Sequence, residues 1–286
     1  MGIRIWHQSM TVLDDVPAYE TALQERLPLL LRPDTEVVLH GLMPGTFPEA
    51  YPGNDLASSY LLYAQGNQWI EAGLEAERQG YDAIVLASMG NPMLREIRTL
   101  VNIPVIGFSD TVFRVSGLYG RRFGMLFFNL TREDYWPEQV RLMGLQESFV
   151  GNSPAGTTFN DVMAAHQDEK KRAEVIARVT EAGEQLAKRG ADVIVPGEMP
   201  LNLLLARAGV SNIGGATVID GLAVIFKTAE MLVDLHRTSG MLQSRRGWFH
   251  HSPDPARVDQ VQTFYGLDKL RGRLQEGGSV KGARKK

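Results

Sequence analysis

The chain contains no cysteine. That excludes a disulfide framework, a thiolate metal site and a thiol nucleophile. No apolar run approaches the roughly 20 residues of a membrane-spanning helix. The opening stretch, Met-Gly-Ile-Arg-Ile-Trp (1–6), has no signal-peptide pattern and goes straight into strand-like sequence. Positive charge is not in excess. The formal net charge is -3, which gives no pull towards nucleic acid or an anionic membrane. Arg245-Arg246 and the terminal Arg284, Lys285 and Lys286 are too short as clusters to argue otherwise. No Walker run is present, and no Gly-x-Gly-x-x-Gly opens a helix after the first strand. His250 and His251 are adjacent rather than four apart, with no carboxylate at ligand spacing, so no metal is expected. These absences make a cytoplasmic protein the default, with no nucleic acid or membrane expected.

What is present is an α/β pattern. The 286 residues, 44% hydrophobic and 22% charged, suit one large domain or two smaller ones. Strand-like runs at Ile3, Thr35, Ala83 and Val105 alternate with helix-like segments, which predicts parallel sheets. The order then restarts at Phe123. Gly-Tyr-Asp-Ala-Ile-Val-Leu-Ala-Ser-Met (80–89) and Gly-Ala-Asp-Val-Ile-Val-Pro-Gly-Glu-Met (190–199) match column by column. Each has Gly, then Asp, an apolar strand, one polar residue and Met. Ser88 and Glu198 share a column. A duplication of this kind predicts two similar halves facing each other across a cleft. The expected boundaries are 1–115 plus 216–240, then 116–215. A C-terminal extension, 241–286, follows, with its small basic end expected to be disordered.

Open α/β sheets bind ligands beyond the carboxyl ends of their strands. That rule selects Ser88 with Met89, Gly90 and Asn91, and Glu198 with Met199 and Asn202. It also selects His7, Gln8 and Ser9 at the tip of the first strand, and Asn129 at the tip of its counterpart. His7 is a candidate third acid/base group. Phe47, Tyr51, Phe128 and Phe159 are candidate walls.

In order, Ile-Trp-His-Gln-Ser (5–9), His-Gly-Leu (40–42), Gly-Tyr-Asp-Ala-Ile-Val (80–85), Asn-Pro (91–92), Ile-Pro-Val-Ile-Gly (103–107), Arg-Phe-Gly (122–124) and Gly-Ala-Asp-Val-Ile-Val (190–195) resemble the Asp/Glu/hydantoin racemase superfamily, on its hydantoin-racemase-like side. The resemblance covers roughly residues 3–235. It implies two flavodoxin-like parallel-sheet halves related by a pseudo-twofold axis, with the active site between them. It also implies cofactor-independent proton transfer next to a carbonyl or carboxylate, and a homo-oligomer is expected. In the racemases a cysteine from each half flanks the substrate carbon. Those positions fall here on Ser88 and Glu198.

A carboxyl group suits proton transfer if burial lifts its pKa from about 4.3 towards 6–7. A serine hydroxyl is a far weaker acid and serves as a donor or, once activated, a nucleophile. The pair therefore fits an isomerase, epimerase or tautomerase with Glu198 as acid/base and Ser88 as donor. It fits equally a hydrolase of a small amide or lactam, with an oxyanion hole at Met89 and Gly90. A decarboxylase needs only a proton donor there, and a non-catalytic binder needs neither. Proton transfer is the smallest change from the resemblance and is the leading expectation.

Overall fold

The structure, a computed structural model, describes residues 2–128 and 133–283. The first half runs β1 (Ile3–Ser9), α1 (Pro17–Leu30), β2 (Thr35–Gly41), α2 (Gly53–Leu56), α3 (Ser59–Arg78), β3 (Ala83–Ala87), α4 (Leu94–Leu100), β4 (Val105–Gly107) and α5 (Phe108–Ser116). The second runs β5 (Phe123–Phe127), α6 (Tyr135–Leu142), β6 (Phe149–Pro154), α7 (Phe159–Gln167), α8 (Glu169–Lys188), β7 (Val193–Pro196), α9 (Met199–Arg207), β8 (Asn212–Ile213) and β9 (Ala216–Val218). α10 (Gly221–Ser239), α11 (Pro255–Tyr265) and β10 (Gln275–Lys281) complete the chain. No helix among the described residues is long and apolar enough to cross a membrane.

The two sheets repeat one parallel order. β2-β1-β3-β4 in the first half corresponds to β6-β5-β7-β9 in the second. Each carries one antiparallel addition at an edge, β10 on β2 and β8 on β9. β3 and β7 are buried along their whole length, as continuous apolar runs in parallel sheets require.

The repeated columns have local causes. Gly80 and Gly190 sit at φ +71° and +93°, closing the helix before each strand in the left-handed region that glycine tolerates. Asp82 accepts from the Arg4 N–H at 2.8 Å, and Asp192 accepts from the Arg121 and Arg122 N–H groups at 3.0 Å. Each carboxylate thus pins the start of the neighbouring central strand. The repeated Asp is architectural; the repeated polar residue beyond the strand is what remains for chemistry.

Two expectations need correction. β9 pairs with β7 through Thr217 and Val218, so the second half extends past 216 before α10 returns to pack on β3, β4 and α5. The extension, expected to end in disorder, carries α11 and β10. β10 joins the edge of β2, and the Gln275 side chain accepts from the Leu13 N–H at 2.7 Å. A sheet edge with unpaired backbone groups is costly to leave open, and this strand covers it. Upstream, the Gln243 amide donates to the carbonyls of Arg98, Val101 and Ile103, and Gln262 donates to the buried Glu71.

Candidate active site

The carboxyl tips of β1, β3, β5 and β7 converge on a cavity of about 90 Å³ between the halves. The first half contributes Ser9, Met10, Thr11, Tyr19, Ala87, Ser88 and Met89, with Tyr51, Pro52, Gly53 and Leu56 from the β2–α3 loop. The second contributes Phe128, Trp136, Phe159, Gly197, Glu198, Met199 and Pro200. On a scale where one water needs roughly 10–15 Å³, this is space for a small molecule.

Ser88 follows β3 directly and is nearly buried. Its turn is held by backbone and side chain together. The Asn91 N–H donates to the Ser88 carbonyl at 3.1 Å, the Asn91 amide donates to Ser109 Oγ at 2.6 Å, and Ser109 Oγ donates to the Met89 carbonyl at 2.6 Å. Asn91 adopts φ +47°, a conformation its residue type accepts more readily than most. It therefore holds the turn and does not line the cavity. Gly90 does not line it either.

Glu198 follows β7 and occupies the N-cap position of α9. Gly197 before it lies so close to the Leu126 carbonyl that a Cβ would stand 2.6 Å from that oxygen, so a side chain there would push the tip away. An N-cap carboxylate ordinarily accepts from the first turn of its own helix. Glu198 makes no such cap. Its Oε1 accepts instead from the Phe128 N–H at 3.1 Å, across to the tip of β5. Glu198 is half-buried, beside the amino end of α9, whose partial positive charge favours an anionic ligand or developing charge.

Ser9 reaches the cavity edge and shares a hydrogen bond with Thr11 Oγ1 at 2.9 Å. Burial raises the Tyr19 phenol above its ordinary pKa, opposed by a hydrogen bond with Ser9. It therefore stays protonated at any physiological pH.

Several expected residues stand elsewhere. His7 lies on the same face of β1 as Ser9 but one pleat deeper. It is fully buried, faces the Phe226 ring at 6.1 Å, and neither ring nitrogen has a hydrogen-bond partner. Burial, helped by nearby His40, lowers its pKa from 6.5 to about 3. A neutral imidazole with no access to the cavity is not a third acid/base group. Gln8 points to the opposite face, where its Oε1 accepts from the Trp6 indole at 2.9 Å. Asn202 bridges α9 to α10, donating to the Ile219 carbonyl and accepting from the Leu222 N–H. Phe47 is buried in the core beneath α3. Asn129 lies outside the described residues. Ser88, Met89, Ser9, Glu198, Met199, Tyr51, Phe128 and Phe159 are brought together.

Met10, Thr11, Tyr19 and Trp136 were not legible as cavity residues. Met10 and Thr11 are adjacent to a strand tip and could have been included on position alone. Tyr19 and Trp136 come from helices whose apolar spacing looks like ordinary core.

The profile of the Asp/Glu/Hydantoin racemase family matches residues 20–229. A hydantoin racemase from Pseudomonas sp. (strain NS671) is 24% identical over 220 residues, spanning 74% of this chain and 80% of that protein. The allantoin racemase of Klebsiella pneumoniae superposes with a TM-score of 0.67 at 20% identity, over 88% of this chain and 95% of that one. The allantoin racemase of Pseudomonas fluorescens gives 0.64 at 20% identity, over 88% and 98%. These two likenesses are of fold. With the profile covering most of the duplicated region and both halves built to one plan, the chain belongs to the Asp/Glu/hydantoin racemase family.

Proposed function

We propose that the protein is a cofactor-independent isomerase that moves a proton at a carbon next to the carbonyl of a small carboxylate or cyclic amide or imide. Glu198 takes the proton from one face of that carbon. Ser88 donates a hydrogen bond to the resulting enolate from the other side. The proton returns from Glu198 or through a solvent-supplied donor, so the substrate's composition is unchanged. The observation that carries this reading is the presence of Ser88 and Glu198, at equivalent strand tips of the two halves, in the wall of one small cavity. The Phe128 N–H fixes the Glu198 carboxylate in the cavity wall, which supports a general-base role. The lining favours a neutral cyclic amide or imide over a dicarboxylate. It is mostly apolar and aromatic, and the one charged side chain among the described lining residues, Glu198, is acidic.

The test is solvent exchange. Hydantoins, lactams and small carboxylates are incubated with the protein in deuterated water and followed by proton NMR and mass spectrometry. Deuterium at the carbon beside the carbonyl, with no other change, is expected for at least one class. Absence of exchange across all of them sinks the proposal.

A hydrolase is the second reading. Among the described residues the Met89 N–H, in the cavity wall, has no backbone partner, which leaves a donor beside Ser88 where an oxyanion could sit. The same experiment separates the readings, because hydrolysis raises the product mass by one water.

A further inference from the structure

The loop between β2 and α3 belongs to the first half, yet its Tyr51 ring reaches the second. Tyr51 stacks on Phe159, the first residue of α7, with centroids 4.9 Å apart and planes at 30°. It stands 6.0 Å from the Phe128 ring, and Phe128 and Phe159 are 6.2 Å apart. Three rings, drawn from both sides of the cleft, thus form one wall of the cavity. Stacked and tilted pairs at these separations are attractive beyond the area they bury.

The sequence is built to seat that ring. Gly53 opens α2 directly beneath it. A Cβ at this position would fall 2.1 Å from Tyr51 Cζ, 2.2 Å from its hydroxyl and 2.4 Å from Cε1. The obstructing atoms are the far end of a side chain that can swing. A methyl group at 53 therefore displaces the ring more readily than it disrupts the fold. Trp136, on α6, lines the same cavity and is only 3% exposed.

We propose that Tyr51, seated on Gly53, closes the cleft between the halves and is the size-determining wall of the cavity. With the ring on Phe159, the cavity admits only small molecules; with the ring displaced, bulkier ones enter and Trp136 becomes accessible. The inference rests on the proposed site only for where the ligand lies. Closure itself can be read without turnover, so its failure is distinct from failure of the isomerase reading.

The experiment is fluorescence quenching of Trp136 by two neutral quenchers of different size, acrylamide and the bulkier nitroxide TEMPOL. Trp248 is 81% exposed and would dominate the signal, so the parent is Trp248→Phe; Trp6 and Trp69 are buried in the first half. The parent should be quenched weakly by acrylamide and hardly at all by TEMPOL. Gly53→Ala and Tyr51→Ala should each raise the TEMPOL quenching constant several-fold. Tyr51→Phe, which keeps the ring, should match the parent. Adding Trp136→Phe should abolish the increase. Circular dichroism confirms that each variant is folded. Unchanged TEMPOL quenching in either folded Gly53→Ala or folded Tyr51→Ala overturns the proposal, as does an increase in Tyr51→Phe.

Discussion

The Phe128 backbone N–H donates to the Glu198 carboxylate at 3.1 Å. One hydrogen bond thus joins the tips of β5 and β7 and turns the carboxylate away from its own helix. Glu198→Gln retains an oxygen able to accept that bond while removing the acid/base function. Its unfolding midpoint should stay close to that of the parent, and turnover should fall by about 10²–10⁴-fold, the usual scale for loss of a general base. Urea titration and deuterium exchange measure the two effects separately. Full exchange in the variant would remove Glu198 from the chemistry.

A serine hydroxyl and a cysteine thiol at position 88 differ in acidity. Ser88→Cys introduces a thiol of pKa about 8.5 beside the substrate carbon. The variant should gain an alkaline limb in its exchange rate, rising up to about pH 8.5, that the parent lacks. Ser88→Ala should lose activity with no such limb. Identical pH profiles for parent and Ser88→Cys would mean that position 88 does not meet the reacting carbon.

The Ser88–Glu198 pairing was legible because the duplication wrote it twice, with the same Gly, Asp and apolar strand before each residue. Pleat depth was not legible. His7 and Ser9 share a face, and only the tip residue reaches the cavity. Nor could sequence tell a polar group that meets ligand from one that holds a turn, as Asn91 and Asn202 do. Tyr19 and Trp136 reach the cavity by the packing of helices on sheets, which no local pattern encodes. β10 was invisible for a different reason. Gln-Glu-Gly-Gly-Ser-Val-Lys carries one apolar residue and two glycines, and it becomes a strand only because the edge of β2 needs a partner.

Asn91 combines a left-handed backbone with a side-chain bond to Ser109. Two variants separate these roles. Asn91→Gly keeps the backbone conformation and loses the bond; Asn91→Ala loses both. Destabilisation should be about 1 kcal/mol for the first and about 2–3 kcal/mol for the second. Exchange activity should fall in both, because the turn that presents Ser88 loses its tether. Equal midpoints for the two variants would show that the backbone conformation carries no strain at this site.

His7 links stability to pH. Its pKa is 6.5 when unfolded and about 3 when folded, so the unfolded chain takes up the proton first as pH falls. Its contribution is complete above about pH 6.5 and is lost progressively towards pH 3. By pH 5 the loss should be about 2 kcal/mol. His40, lowered to about 4 by burial, acts in the same direction. His7→Leu should therefore lose less stability than the parent between pH 7.5 and pH 5, by roughly that amount. Equal losses in urea titrations at the two pH values would exclude His7 as the linked group.

β10 supplies the last strand of the first sheet, through antiparallel pairing with β2. Its Gln275 oxygen also accepts from the Leu13 N–H, next to the cavity residues Met10 and Thr11. Gln275→Ala removes that acceptor alone and should cost about 1 kcal/mol. Deleting residues 274–286 also strips the partner from β2. The row of exposed backbone donors and acceptors invites pairing between molecules. The truncated protein should therefore unfold at lower urea concentration than Gln275→Ala and scatter light on heating, at a rate that rises with protein concentration. A truncation that matches Gln275→Ala in both measurements would show that β2 tolerates an open edge, and that β10 contributes nothing beyond the Gln275 bond.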